Sequence, residues 1–272
     1  MKRTIVSLLL ASAIGCASFV ANAGNVVVNG STTVLPAMQK ISENFMKANP
    51  SVQVSISGGG SGHGIKALME KTTDVAMASR DMKPAEVEAV KKGGGEAVRY
   101  VVAIDAIVPV VNPANGVKDL TLEQIRDIYA GRITNWKQVG GKDARITVIS
   151  RDSSSGTFET WESLVMKGER IQQRALLQAS NGAVLQTVAK NPNAIGYVGL
   201  GYLTKDIKAL SIGGTEATMK TAETFAWPLS RELYLFTNGQ AAGDTKALLD
   251  FALSQEGQKS VKEVGFVPVS KK

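Results

Sequence analysis

The sequence predicts an α/β protein of two lobes, each a mainly parallel sheet flanked by helices, with two strands crossing between them. Three observations predict this. Short β-like runs alternate with helix-like segments along most of the chain, the rhythm that builds parallel sheets covered on both faces. The 27 glycines cluster between apolar runs, where they mark turns. Two extended stretches, Arg99–Asn112 and Phe225–Thr237, stand apart from the rhythm, each broken by one proline (Pro109 and Pro228), and read as the crossings. One lobe is expected over 24–108 plus 230–272 and the other over 109–229.

The elements follow in order. Val26–Val28 reads as a strand, and Val34, Met38, Ile41 and Phe45 fall at helical spacing up to Asn49-Pro50. Val52, Val54 and Ile56 alternate as in a strand; a helix is expected over Gly64–Lys71 and a strand at Val75–Met77. Pro84 opens a helix that Gly93–Gly95 close. Leu122, Ile125 and Tyr129 form a helical stripe. Ile146–Ser150 reads as a strand, and Phe158, Trp161 and Val165 as one helix. A helix through Val184, Leu185 and Val188 precedes a strand at Ile195–Val198. Leu233–Phe236 is a strand candidate, with helices around Leu248–Leu253 and near Val261. Trp136, Trp161 and Trp227 read as packing residues, and the one histidine, His63, as a solvent-facing loop residue.

Composition narrows the function. Hydrophobic residues (44%) suffice for a core, and aromatics (6%) are too few for a base-stacking surface. The net charge is +7 with no dense basic run, which suits an anionic ligand and argues against nucleic acid. Lys2 and Arg3, the apolar run Ile5–Val20 and Ala21-Asn22-Ala23 form a signal-peptide pattern at 1–23, with cleavage expected after Ala23. The alternatives are a membrane anchor, for which the run is short, and a lipoprotein signal at Cys16, the one cysteine. A free periplasmic protein is expected first. No metal site or cofactor is expected.

Three turns share one chemistry. Gly30-Ser31-Thr32-Thr33, Gly58-Gly59-Gly60-Ser61-Gly62 and Ser153-Ser154-Ser155-Gly156-Thr157 each follow a strand and precede a helix. Backbone N–H groups at a helix N-terminus, hydroxyl donors and close backbone approach at glycine together make an anion site. A single such turn is an ordinary N-cap worth about 1 kcal/mol; three in one chain point to a ligand. Arg151 and Arg80 stand beside these loops, and a guanidinium can give two parallel hydrogen bonds to a tetrahedral oxyanion.

At these motifs the mature chain resembles the short-form periplasmic phosphate-binding proteins of the ABC-type phosphate uptake system. The resemblance is carried by Gly30–Pro36, Ser57–Ile65, Ala78-Ser79-Arg80, Leu122–Trp136 and Arg151–Thr157. It implies a type II periplasmic-binding-protein clamshell, no catalysis, and a monomer that hands inorganic phosphate to inner-membrane permease subunits. By motif it implies phosphate contacts from Thr32, the Thr33 amide, Ser61, Arg151, Ser155, Gly156 and Thr157; Ser31 and Arg80 are further candidates. Where many relatives have Ser-Asp, whose carboxylate accepts the proton of hydrogen phosphate, this chain has Ser79-Arg80. Asp81 or Asp152 is therefore expected to supply that acceptor. The alternatives are a receptor for sulfate or molybdate and a secreted phosphatase. The phosphatase is disfavoured by the lack of a Gly-x-Ser-x-Gly elbow and by His63 lying only two residues from Ser61.

Overall fold

A computed structural model describes residues 24–269; the expected leader at 1–23 and Cys16 lie outside them. The first lobe runs β1 (Gly24–Gly30), α1 (Leu35–Ala48), β2 (Val52–Gly58), α2 (Ser61–Met69), β3 (Val75–Ala78) and α3 (Pro84–Lys92). The long strand β4 (Ala97–Val111) then leads into the second lobe. There follow β5 (Asp119–Leu120), α4 (Leu122–Ala130), β6 (Thr147–Arg151), α5 (Gly156–Trp161), β7 (Leu176–Gln178), α6 (Asn181–Lys190) and β8 (Ala194–Gly199). Two short strands, β9 (Lys208–Ala209) and β10 (Ser211–Ile212), and α7 (Met219–Glu223) complete that lobe. β11 (Ser230–Asn238) returns to the first lobe, where α8 (Gly243–Ala252) and α9 (Gln255–Glu263) pack.

The two lobes share one run of strands, β2-β1-β3-β11-β4-β8-β6-β7. Parallel pairing joins β1 to β2 and β3 in one lobe, and β6 to β7 and β8 in the other. The two crossing strands make the antiparallel centre. β4 pairs with β11 from Ala97 to Ala106 and with β8 from Ile107 to Val111, so a single strand enters both lobes.

Hydrophobic periodicity sets each core. α1 turns Ala37, Met38, Ile41 and Phe45 inward, onto Val26, Val28 and Val75 of the sheet. Truncating Phe45 to alanine there would cost about 3–5 kcal/mol. The other core gathers Ile107, Ile125, Tyr129, Val184 and the buried indoles of Trp136, Trp161 and Trp227. Trp161 stacks on Tyr197 with ring centroids 4.1 Å apart. The three tryptophans are packing residues, as expected.

Four expected elements shift. The second extended stretch starts at Ser230, not Phe225, because Phe225 adopts φ +54° and residues 227–230 form a turn, with the Ser230 amide donating to the Trp227 carbonyl. α2 begins at Ser61, three residues before Gly64. Gly60, at φ +100°, turns the chain so that the glycine-rich segment enters the helix at once, which places exposed His63 on a helix rather than a loop. The segment with Phe158, Trp161 and Val165 is α-helical only to Trp161 and continues as one π-helical turn, Glu162–Met166. α8 starts at Gly243, five residues before the expected Leu248.

Candidate functional site

The three hydroxyl-bearing corners meet between the lobes. Each lies at the C-terminal end of a parallel strand: after β1, after β2 and after β6. In open α/β sheets these ends face the ligand crevice. Thr33 Oγ1 of the first lobe lies 2.9 Å from Thr157 Oγ1 of the second. Ser154 Oγ donates to the Gly59 carbonyl at 3.0 Å, and the Gly62 amide donates to the Ser154 carbonyl at 2.9 Å. The cleft is closed on itself. Thr32, Thr33, Ser61, Arg151, Ser155 and Thr157 are all buried.

Arg151 ends β6 with its guanidinium 1% exposed. Its Nε donates to the Gln178 carbonyl at 2.9 Å and Nη2 to the Ala179 carbonyl at 3.1 Å, which fixes the fork. Nη1 is buried and has no acceptor. Burial lowers the Arg151 pKa from the ordinary arginine value, opposed mainly by Asp152 and Tyr197. Asp152 Oδ1 accepts from the Ser154 amide at 2.9 Å. Its Oδ2 sits 3.7 Å from Arg151 Nη2, buried and without a hydrogen-bond partner. One unused donor and one unused acceptor thus belong to consecutive residues. A buried polar atom without a partner costs roughly 1–3 kcal/mol, so both sites favour a ligand that fills them.

Ser155 caps α5, its Oγ accepting from the Phe158 amide at 3.2 Å. Its hydroxyl proton is left to give elsewhere. Helix geometry also leaves the Gly156 and Thr157 amides without intrahelical acceptors. Gly156 has to be glycine for closure: a Cβ there would stand 2.4 Å from Ser61 Oγ and 2.9 Å from Ser79 Oγ.

Several expectations change. Ser31 Oγ accepts from the amides of Thr33 (3.2 Å) and Val34 (3.4 Å), so Ser31 caps its own turn and the Thr33 amide is already in use. The amides of Gly59 and Gly60 both donate to the Gly30 carbonyl, and that of Gly62 is taken by Ser154. The glycine corner thus shapes the cleft and gives Ser61 rather than free amides at these positions. The Arg80 guanidinium is already engaged by acids: Nη1 and Nη2 donate to Glu86 at 2.8 Å each, and Nε forms an ion pair with Glu159 at 2.9 Å. Two carboxylates outcompete a transient anion for this guanidinium. Asp81 is half exposed and bonds Arg99 Nη1 at 2.6 Å, so it is no acceptor for the cleft.

The structure adds three residues that local motifs did not reveal. Arg231, on β11, is 7% exposed and donates from Nη2 to Thr157 Oγ1 (3.0 Å) and Thr33 Oγ1 (3.4 Å). Its Nη1 donates to the Ser79 carbonyl at 3.1 Å. Asp105, on β4 and fully buried, receives Arg231 Nε and Nη2 at 3.0 and 2.8 Å and the Leu200 amide at 2.8 Å. Burial pushes the Asp105 carboxyl up, offset in part by Arg231. Asn181, the first residue of α6, reaches Thr32 and Thr33. For Arg231 a signal existed: it has the same strand parity as the buried Leu233 and Leu235. Asp105 likewise interrupts an apolar run. Asn181 follows an N-cap serine and carries no local signal.

Two lobes on a crossed antiparallel centre, with a donor-rich cleft at the strand ends, define a type II periplasmic-binding-protein fold. A family model described as a PBP superfamily domain matches residues 20–256. The phosphate-binding protein PstS of Bacillus subtilis is 33% identical over 252 residues, covering 91% of this chain and 81% of that protein. A structure from Clostridium perfringens, named as a phosphate ABC transporter substrate-binding protein with bound phosphate, is 36% identical with a TM-score of 0.85; the match covers 91% of this chain and all of that one. An ABC-type phosphate transport receptor from Vibrio cholerae is 32% identical with a TM-score of 0.73, covering 90% of this chain and all of its own. The chain belongs to the PBP superfamily and, within it, to the phosphate-binding proteins PstS.

Proposed function

We propose that this chain captures inorganic phosphate in the inter-lobe cleft and delivers it to the permease subunits of an ABC transporter. The observation that carries the reading is the unpartnered Nη1 of Arg151, buried at the end of the strand that leads into the hydroxyl corner Ser153–Thr157. The oxyanion takes charge-assisted bonds from Arg151 and neutral bonds from Thr32, Ser61, Ser155 and Thr157, with the Gly156 and Thr157 amides. The lobes are 24–108 with 230–272, and 109–229. The protein is an exported monomer, working in the periplasm after loss of residues 1–23. Binding and release, with no covalent step, account for every group placed in the cleft.

Asp152 makes the ligand hydrogen phosphate rather than sulfate. Its buried Oδ2 accepts the ligand's proton, which sulfate cannot offer. The test is calorimetric binding of phosphate, sulfate and molybdate to the wild type, Arg151→Met and Asp152→Asn. Arg151→Met loses roughly 10- to 150-fold in phosphate affinity, the worth of a hydrogen bond to a charged group. Asp152→Asn loses preference for phosphate over sulfate. Tighter wild-type binding of sulfate or molybdate would reassign the ligand, and turnover of a phosphate ester by pure protein would revive the hydrolase alternative.

A further inference from the structure

We propose that Asn181 and Arg231 are positioning residues that fix the donor sense of the cleft: their N–H groups fill lone pairs on Thr32, Thr33 and Thr157 and so commit the hydroxyl protons to an anion. The inference rests on the cleft being an oxyanion site and adds how its polarity is set.

The orientation of Asn181 is determined by its surroundings. The Gly199 amide donates to Oδ1 at 3.1 Å, so Nδ2 must face the threonines. The two hydrogens of Nδ2 then have two acceptors, Thr32 Oγ1 at 3.1 Å and Thr33 Oγ1 at 3.0 Å. The Asn181 backbone amide adds a second donor to Thr32 Oγ1 at 3.4 Å. Arg231 cannot turn either, because Asp105 holds Nε and one hydrogen of Nη2 and the Ser79 carbonyl holds Nη1.

A hydroxyl has two lone pairs and one proton. Asp105 takes one of the two hydrogens of Arg231 Nη2 and Thr157 Oγ1, at 3.0 Å, the other, so Arg231 fills a lone pair on Thr157 while Asn181 fills one on Thr33. Across their 2.9 Å gap one of these two hydroxyls donates to the other, and the one that accepts then has both lone pairs filled and its proton left to give. Thr32, with both lone pairs filled by Asn181, has a free proton as well. Donors that cannot accept thus drive a relay of hydroxyls towards giving hydrogen bonds, which is what an oxyanion requires.

A thermodynamic cycle tests this, with phosphate as the calorimetric probe. Asn181→Ala is expected to lose about 5- to 150-fold in affinity in the wild-type background, the span of an ordinary coupling energy. In a Thr32→Val/Thr33→Val background the same change should cost far less, since the hydroxyls it orients are gone. Equal losses in both backgrounds overturn the inference, because a merely structural asparagine is indifferent to those hydroxyls. Should those variants not fold, Asn181→Asp decides. Its carboxylate would accept from the threonines, so wild type should bind far better than the variant near about pH 8 and lose that advantage near about pH 4, where the carboxyl gains a proton. A pH-independent ratio overturns the inference. If wild-type protein binds no oxyanion, the anion site itself is lost, an outcome visible before any variant is made.

Discussion

Replacing Gly156 by alanine should weaken ligand binding while leaving the ligand-free fold intact. Gly156 is the first residue of α5 in the second lobe, and the atoms its Cβ would meet belong to the first: Ser61 Oγ at 2.4 Å, Ser79 Oγ at 2.9 Å and Arg80 Cγ at 3.0 Å. Ser61 Oγ cannot simply rotate away, because it accepts from the Ser79 amide at 3.0 Å. The backbone at this helix start tolerates alanine, so the added methyl opposes closure and little else. Overpacking costs roughly 1–3 kcal/mol. Charged wholly to the closing equilibrium, that is a loss of about 5- to 150-fold in affinity. Phosphate titration calorimetry measures the loss, and thermal unfolding without ligand supplies the control. Unchanged affinity would refute the reasoning. So would an equal drop in ligand-free stability, since the contact would then persist in the unliganded protein.

Two further outcomes follow from the same structure. Glu159 joins the lobes outside the cleft, pairing with Arg80 at 2.9 Å and Lys83 at 2.6 Å. These pairs are partly exposed, each worth zero to about 1 kcal/mol, so Glu159→Gln should lower phosphate affinity a few-fold and reduce its dependence on added salt; an unaltered salt dependence would count against an ionic latch. Glu86 makes part of the stability acid-sensitive. Burial alone would raise its pKa, but hydrogen bonds from Arg80 and the Lys83 amide, with the charges of both residues, bring it below the ordinary 4.5. A depressed carboxyl contributes stability above its unfolded pKa and loses it as pH falls through the folded value. Denaturant unfolding should therefore show wild-type stability falling below about pH 4.5, with a shallower fall in Glu86→Gln.

Local pattern made most of the fold legible. Val34, Met38, Ile41 and Phe45 lie on one helical face and all four are buried. The glycine and proline boundaries of α1 and α3 also fell where turn chemistry put them. The late start expected for α2 came from glycine, which reads as a turn although Gly62 lies inside the helix. In the candidate site, corner residues were legible because hydroxyls, glycine and a helix start lie close together in sequence. Arg80 misled for the opposite reason. Its sequence neighbours suggested a ligand contact, but Glu159, 79 positions away, helps occupy its guanidinium. Arg231, Asp105 and Asn181 meet the corners only through tertiary folding, with sequence separations of 126 for the Arg231–Asp105 bond and 149 for Asn181–Thr32. No window of local sequence contains those partners.

Arg231 and Asp105 are register partners on the two strands that join the lobes. The same guanidinium touches Thr33, Thr157 and the Ser79 carbonyl. Twist in either strand thus reaches the cleft hydroxyls through a single guanidinium. Ease of opening and choice of cargo are consequently not separate dials: lengthening or stiffening these strands to build a faster sensor would alter what the sensor detects.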